Sequence, residues 1–191
     1  MGQQTHYKTF KALRYPTAAS LAFLVHHAYE ALAMALYDAP RLYGFELEST
    51  ENLSFIPLVV RFNLDRFGQI ISLDQWRRLP HSDRELLARF PVENDPAIEP
   101  NFDRALVEML RTHADATPET FAPDTDPIWA HTDVVPETVI RQSSLCGIGS
   151  PSLGRWSELS PFQRYALAKL SRKADVNHDF VPAMREFGLA D

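Results

Sequence analysis

The last thirty-two residues, SPFQRYALAKLSRKADVNHDFVPAMREFGLAD, constrain the fold most, because the ends of two helices are written into them. Ser160 supplies a capping hydroxyl, Pro161 a first helical residue whose missing N–H costs nothing, and Gln163 an amide placed to reach back to the cap. Phe162, Tyr165, Ala166 and Leu170 then recur at helical spacing, while Arg164, Lys169, Arg172 and Lys173 fall largely off that stripe. After a polar turn, Phe180, Met184 and Phe187 recur at i, i+4 and i+7, with Pro182 near the start and Gly188 as the stop. Two short helices cannot bury these aromatics between themselves, so the hairpin needs the remainder of the chain as a partner.

A second punctuated block runs from residue 45 to 90. In FIPLVVRFNLDRFG, Pro57 opens a helix, Gly68 stops it, and Leu58, Val59, Phe62 and Phe67 supply apolar surface. Arg61 and Asp65 stand at i, i+4, a spacing that predicts a surface ion pair. Ser72 to Gln75 and Ser82 to Glu85 read as successive capping boxes, which predicts two short helices joined by Leu79-Pro80-His81. Before this block, Pro16 opens TAASLAFLVHHAYEALAMALY, a helix apolar nearly all round and so suited to a core or to oligomer formation. His26, His27 and Glu30 in its middle argue against a membrane span. The absence of any acid before Glu30 leaves an organelle-targeting segment as a second reading.

From Pro91 to Asp133 there are six prolines, and NFDRALVEMLRTH is the one convincing helix. The remainder, through Trp129, reads as an extended acidic loop. Pro136 opens a further helix that ends at Cys146-Gly147, and GIGSPSLG reads as a linker into Trp156. No stretch alternates as a strand would. The expectation is an all-α fold, a compact orthogonal bundle of six to eight helices with a long acidic proline-rich loop. It divides into an N-terminal extension, 1–43, with one apolar helix, and a helical domain, 44–191, with an insert at about 91–133.

Charge and cysteine usage narrow the chemistry. Cys146 is the single cysteine, which excludes an intrachain disulfide and a cysteine-ligated cluster and fits a reducing, cytoplasmic setting. Lying at a helix C-terminus, it has the dipole against its thiolate and reads as an inert thiol. Net charge is −6 yet unevenly spread: residues 91–133 hold ten acids against Arg104 and Arg111, whereas residues 155–173 hold five Lys/Arg against Glu158. Nucleic-acid binding is disfavoured by that balance, although Arg77, Arg78, Arg84 and Arg89 on consecutive short helices could mimic a helix-turn-helix. His26 or His27 with Glu30, and His113-Asp115 with His131-Asp133, have ligand-like spacing, but neighbours without a closed set do not make a metal site. No nucleophile elbow, phosphate loop or dinucleotide fingerprint occurs, and neither an enzyme nor a bound cofactor or metal is expected. Trp76 and Trp156 read as core, whereas Trp129 sits in a polar loop, where it either tacks the loop down or anchors a partner.

Ile56-Pro57, Val60-Arg61-Phe62, Leu64-Asp65, Gly68, Leu73 and Trp76 form one recognisable run. Trp156, Leu159, Gln163-Arg164, Lys169-Leu170-Ser171, Asn177, Phe180 and Glu186-Phe187 form another. Together they resemble the nitrate reductase-associated protein family. The chain departs from that pattern at Phe55 and Phe67, where members often carry cysteine, and at Asp175, near a family histidine. The resemblance implies an all-helical protein needed for, or associated with, nitrate reductase activity; the leading expectation built on it is a non-enzymatic accessory or maturation factor that docks on assimilatory nitrate reductase, or on an apo form awaiting its molybdenum cofactor. The residues expected to contact that partner are Arg61, Arg164, Lys169, Arg172 and Lys173, with Trp129. The alternatives are the helix-turn-helix regulator and a small-ligand or cofactor module with a pocket lined by residues such as Phe62, Trp76 and Phe187. No membrane contact is expected, and the N-terminal helix offers a surface for homo-oligomers.

Overall fold

Proline and glycine set several of the element ends, and the structure, a computed structural model, describes residues 36–47, 51–93 and 101–191. The apolar N-terminal helix with His26, His27 and Glu30, and with it the targeting and oligomer readings, lies outside the described residues. Among the described residues there are eight helices: α1 (Leu58–Arg66), α2 (Leu73–Arg78), α3 (His81–Leu87), α4 (Phe102–Ala114), α5 (Glu137–Leu145), α6 (Leu153–Glu158), α7 (Pro161–Leu170) and α8 (Phe180–Glu186). The fold is all-α. Its one sheet among these residues is a two-stranded antiparallel ribbon, β1 (Gln69–Ile70) with β2 (Glu119–Thr120), in which Gln69 faces Thr120 and Ile70 faces Glu119. A two-residue strand has no alternation to detect, so the ribbon leaves no periodic signal in the chain.

Two of the expected capping boxes form, at Ser72 and at Ser160. Ser72 Oγ accepts from the Gln75 N–H while the Gln75 side chain accepts from the Ser72 N–H, and Ser160 with Gln163 repeats the arrangement ahead of α7. Gly68, Gly147 and Gly188 follow α1, α5 and α8 with φ of +64°, +70° and +67°. Two local expectations are corrected. Ser82 is no cap: Leu79 and Pro80 are extended, so α3 begins at His81, two residues before the start a Ser82 cap would give, and the Pro80 carbonyl accepts from the Asp83 and Arg84 N–H groups. The expected linker GIGSPSLG turns helical at Leu153, because the Ser152 hydroxyl accepts from the Arg155 N–H and caps α6.

The core forms where α7 meets α8, α1 and α5. Trp76 and Trp156 are fully buried, and each indole N–H is satisfied, by the Leu53 carbonyl at 2.8 Å and the His131 carbonyl at 2.9 Å. Arg84 donates to the same Leu53 carbonyl at 2.8 Å, which holds Asn52 and Leu53 in the left-handed region at φ +58° and +51°. That conformation costs an L-residue on the order of 1–2 kcal/mol, so the two donors have a definite structural task. The C-terminal hairpin finds its partners elsewhere in the chain: Phe162 lies edge-on to Phe62 of α1 at 5.6 Å, and Phe187 edge-on to Tyr43, ahead of α1, at 4.9 Å. The Glu186 carboxylate accepts from the Gly44 and Phe45 N–H groups at 2.9 and 3.0 Å and closes that end.

Candidate functional site

Tyr165 and Lys169 are one helical turn apart on α7, and Arg172 lies three residues beyond, so the three fall on one face. That face looks across to α1, which presents Arg61, Leu64 and Asp65. Between them opens a cleft of about 690 Å³. β1 supplies part of its lining with Gln69 and Ile70, and the segment after β2 supplies Phe121, Ile128 and Trp129. The ribbon brings that segment into place. Phe121 N–H donates to the Gly68 carbonyl at 2.8 Å, and Gly68 is left-handed with the Phe121 carbonyl so close that an added Cβ would lie 2.2 Å from its oxygen.

Asp65 organises the electrostatics. Its Oδ2 accepts from Lys169 Nζ at 2.6 Å and from the Tyr165 hydroxyl at 2.8 Å. The predicted Arg61–Asp65 surface pair is therefore replaced: Asp65 turns to α7, and Arg61 Nε donates to the Ile56 carbonyl at 2.9 Å. Burial pulls the Lys169 ammonium below the usual lysine range; Asp65 opposes the shift, and Arg172 and Arg61 add to it. Burial, and then the Asp65 carboxylate, raise the Tyr165 phenol well above the ordinary tyrosine value, so it remains a donor to Asp65.

The predicted cations do not form one ridge. Arg164 is buried, 5% exposed, and its guanidinium donates to the Trp129 carbonyl at 2.9 Å and to the Leu159 carbonyl. One residue from Tyr165 is about 100° around the helix, enough to aim Arg164 inward, where it ties the Trp129 turn to α7. Lys169 is committed to Asp65. Arg172 and Lys173 are exposed, with no ion-pair partner among the described residues. Trp129 is half-buried and tacks its loop down, with ring centroids 5.4 Å from Phe62 and 5.8 Å from Tyr165. It also lines the cleft.

Other sequence candidates separate. His113 and His131 do not meet: His113 lies 3.2 Å from Asp83, and His131 lies 3.0 Å from Asp126 and 3.9 Å from Asp133. Among the described residues no group of three or more His, Cys, Asp or Glu is placed to hold a metal ion. The helix-turn-helix arginines are engaged within the chain. Arg77 donates to the Ser54 carbonyl, Arg84 to Leu53 and Arg89 to Tyr37, and Arg78 pairs with Asp74. The pocket expected at Phe62, Trp76 and Phe187 is filled, all three being buried. Phe67 stacks on Phe102, and Phe55, an exposed side chain, lies under the Arg77 guanidinium. Sequence reading missed Gln69, Phe121 and Ile128, whose approach depends on the ribbon. The Tyr165, Lys169, Arg172 spacing was a usable signal.

No helix among the described residues is long and apolar enough to cross a membrane. The family model described as conserved nitrate reductase-associated protein matches residues 42–187, which takes in the acidic segment that the quoted motifs leave out. The chain belongs to that family, whose description associates its members with nitrate reductase. No curated protein matches the chain, and no solved structure does.

Proposed function

We propose that this member of the nitrate reductase-associated family is a non-enzymatic accessory protein that docks on assimilatory nitrate reductase through the face around the cleft. One observation carries the reading: with Lys169 paired to Asp65, Arg61 and Arg172 remain against Asp124 in a concavity whose lining includes the exposed apolar side chains Ile70, Phe121 and Ile128. In a chain of net charge −6, a cationic concavity beside exposed apolar groups has the character of a docking surface, with charge to steer encounter and apolar area to hold the complex. Arg172 and Lys173 follow the C-terminal end of α7, where the helix dipole favours positive charge. They carry the steering in this reading. Lys169 and Arg164, already engaged inside the chain, support the shape of the face, and Trp129 contributes its cleft-facing surface.

The test is a pull-down of the reductase on the tagged chain. Retention that falls as salt rises, and that is lost in the Arg172→Glu/Lys173→Glu variant while the thermal midpoint is kept, is the expected result. Undiminished retention by that variant would remove this surface from consideration. Running the assay with cofactor-free and cofactor-loaded reductase tests the insertion-stage version of the reading, for which preference for the cofactor-free form is expected.

A further inference from the structure

The shape and lining of the cleft specify the docking partner more narrowly than a charged face would. Its volume of about 690 Å³ falls within the range of concave sites that enclose a ligand group, roughly 300–1,000 Å³. A concavity of this size receives a few side chains of a projecting segment better than it meets a flat protein surface.

Its charges are not balanced internally. Five charged side chains line it: Arg61, Lys169 and Arg172 against Asp65 and Asp124. Asp65 and Lys169 satisfy each other at 2.6 Å, which leaves two guanidinium groups against Asp124. Beside them, Ile70, Phe121 and Ile128 are 50%, 40% and 51% exposed. A small inorganic anion would answer the arginines and leave these apolar groups in water; an aliphatic chain would do the reverse. An occupant that uses both carries an acid next to an apolar side chain.

Gln69 adds a third requirement. It lines the cleft, is 6% exposed, and its buried Oε1 has no hydrogen-bond partner among the described residues. An unpaired buried acceptor is an unfavourable feature that an incoming N–H donor relieves. Reaching it requires the amide to turn toward the cleft, a motion about one soft terminal torsion. An extended peptide offers backbone N–H donors together with both side-chain types.

We infer that the cleft receives an extended acidic–apolar segment of the partner protein, an apolar side chain seated against Phe121 and Ile128 and a neighbouring carboxylate at Arg61 and Arg172. The inference rests on the docking reading above and gives it a chemical class of partner segment.

The experiment is an array of short overlapping peptides tiling the reductase, probed with the labelled full chain, beside the pull-down of the intact enzyme. Binding is expected on peptides that place Asp or Glu next to an apolar residue. It should weaken about tenfold or more when the peptide acid becomes its amide, and likewise in the Arg172→Glu and Ile128→Asp variants, whose side chains lie at the surface. If the intact reductase is retained in a cleft-dependent way but no peptide binds, or bound peptides are indifferent to Arg172→Glu, the linear-segment inference is wrong while docking stands. If wild-type chain retains no reductase at all, the docking reading falls first and takes this one with it.

Discussion

Replacing Gly68 by alanine, with Gly147→Ala as its control, separates two costs that are usually confounded. Both glycines end a helix in the left-handed region, at φ +64° and +70°, so both substitutions incur the same conformational penalty of about 1 kcal/mol. They differ in what the new methyl meets. At Gly147 nothing lies within 4 Å, whereas at Gly68 the Cβ would sit 2.2 Å from the Phe121 carbonyl oxygen and 3.0 Å from Pro123 Cδ. The first of these is backbone and cannot swing aside as a side chain would. Relief requires the segment after β2 to lift, which breaks the bond from Phe121 N–H to the Gly68 carbonyl and loosens the ribbon beside it. At roughly 1 kcal/mol per hydrogen bond, two or three bonds bring Gly68→Ala to about 3–4 kcal/mol against about 1 for Gly147→Ala. Urea unfolding followed by circular dichroism measures the difference. Hydrogen exchange at the Phe121 amide should quicken only in Gly68→Ala, and reductase retention should fall with it, because Phe121 lines the cleft. Equal losses for the two variants, within about 0.5 kcal/mol, would show that the ribbon neither depends on this glycine nor holds that part of the cleft.

Two further outcomes follow from the buried polar groups. Arg164→Met should destabilise the fold by about 2–4 kcal/mol, since it strands the Trp129 and Leu159 carbonyls, and should do so equally at low and high salt. A stable variant that loses reductase binding in a salt-dependent way would return Arg164 to the docking surface. Burial raises the Glu46 carboxyl above its ordinary value of 4.5, although Leu58 and Tyr43 N–H donors oppose the shift. The folded state therefore holds that proton more tightly than the unfolded chain. The group's contribution to stability is fullest below about pH 4.5 and is lost as pH rises through the raised value. Relative to Glu46→Gln, wild type should lose stability between acid and neutral pH in urea titrations; a pH-independent difference would contradict the shift.

Most helix ends and the aromatic part of the core were legible in the chain because their causes are local. Ser160, Gln163, Pro161 and Gly188 act within about one turn, and Phe180, Met184 and Phe187 repeat at helical spacing, so adjacent residues suffice to place α7 and α8. Ser82 misled for the same reason. A capping box is a statement about four residues, and the extended Leu79-Pro80 pair before it had already started the helix.

The cleft was not legible, since its parts are distant in sequence. Asp65 and Lys169 are 104 residues apart, and nothing near Asp65 indicates that it will choose Lys169 over Arg61, its neighbour at i, i+4. Arg164 and Lys169 read alike as cations off an apolar stripe. Which of them is buried was decided by the Trp129 turn, whose carbonyl needed a donor and found one in Arg164. Local punctuation fixes where a helix begins because hydrogen-bond capping reaches one turn. The assignment of a charge to interior, ion pair or solvent waits for tertiary structure, because it depends on which carbonyls and carboxylates the fold brings within reach.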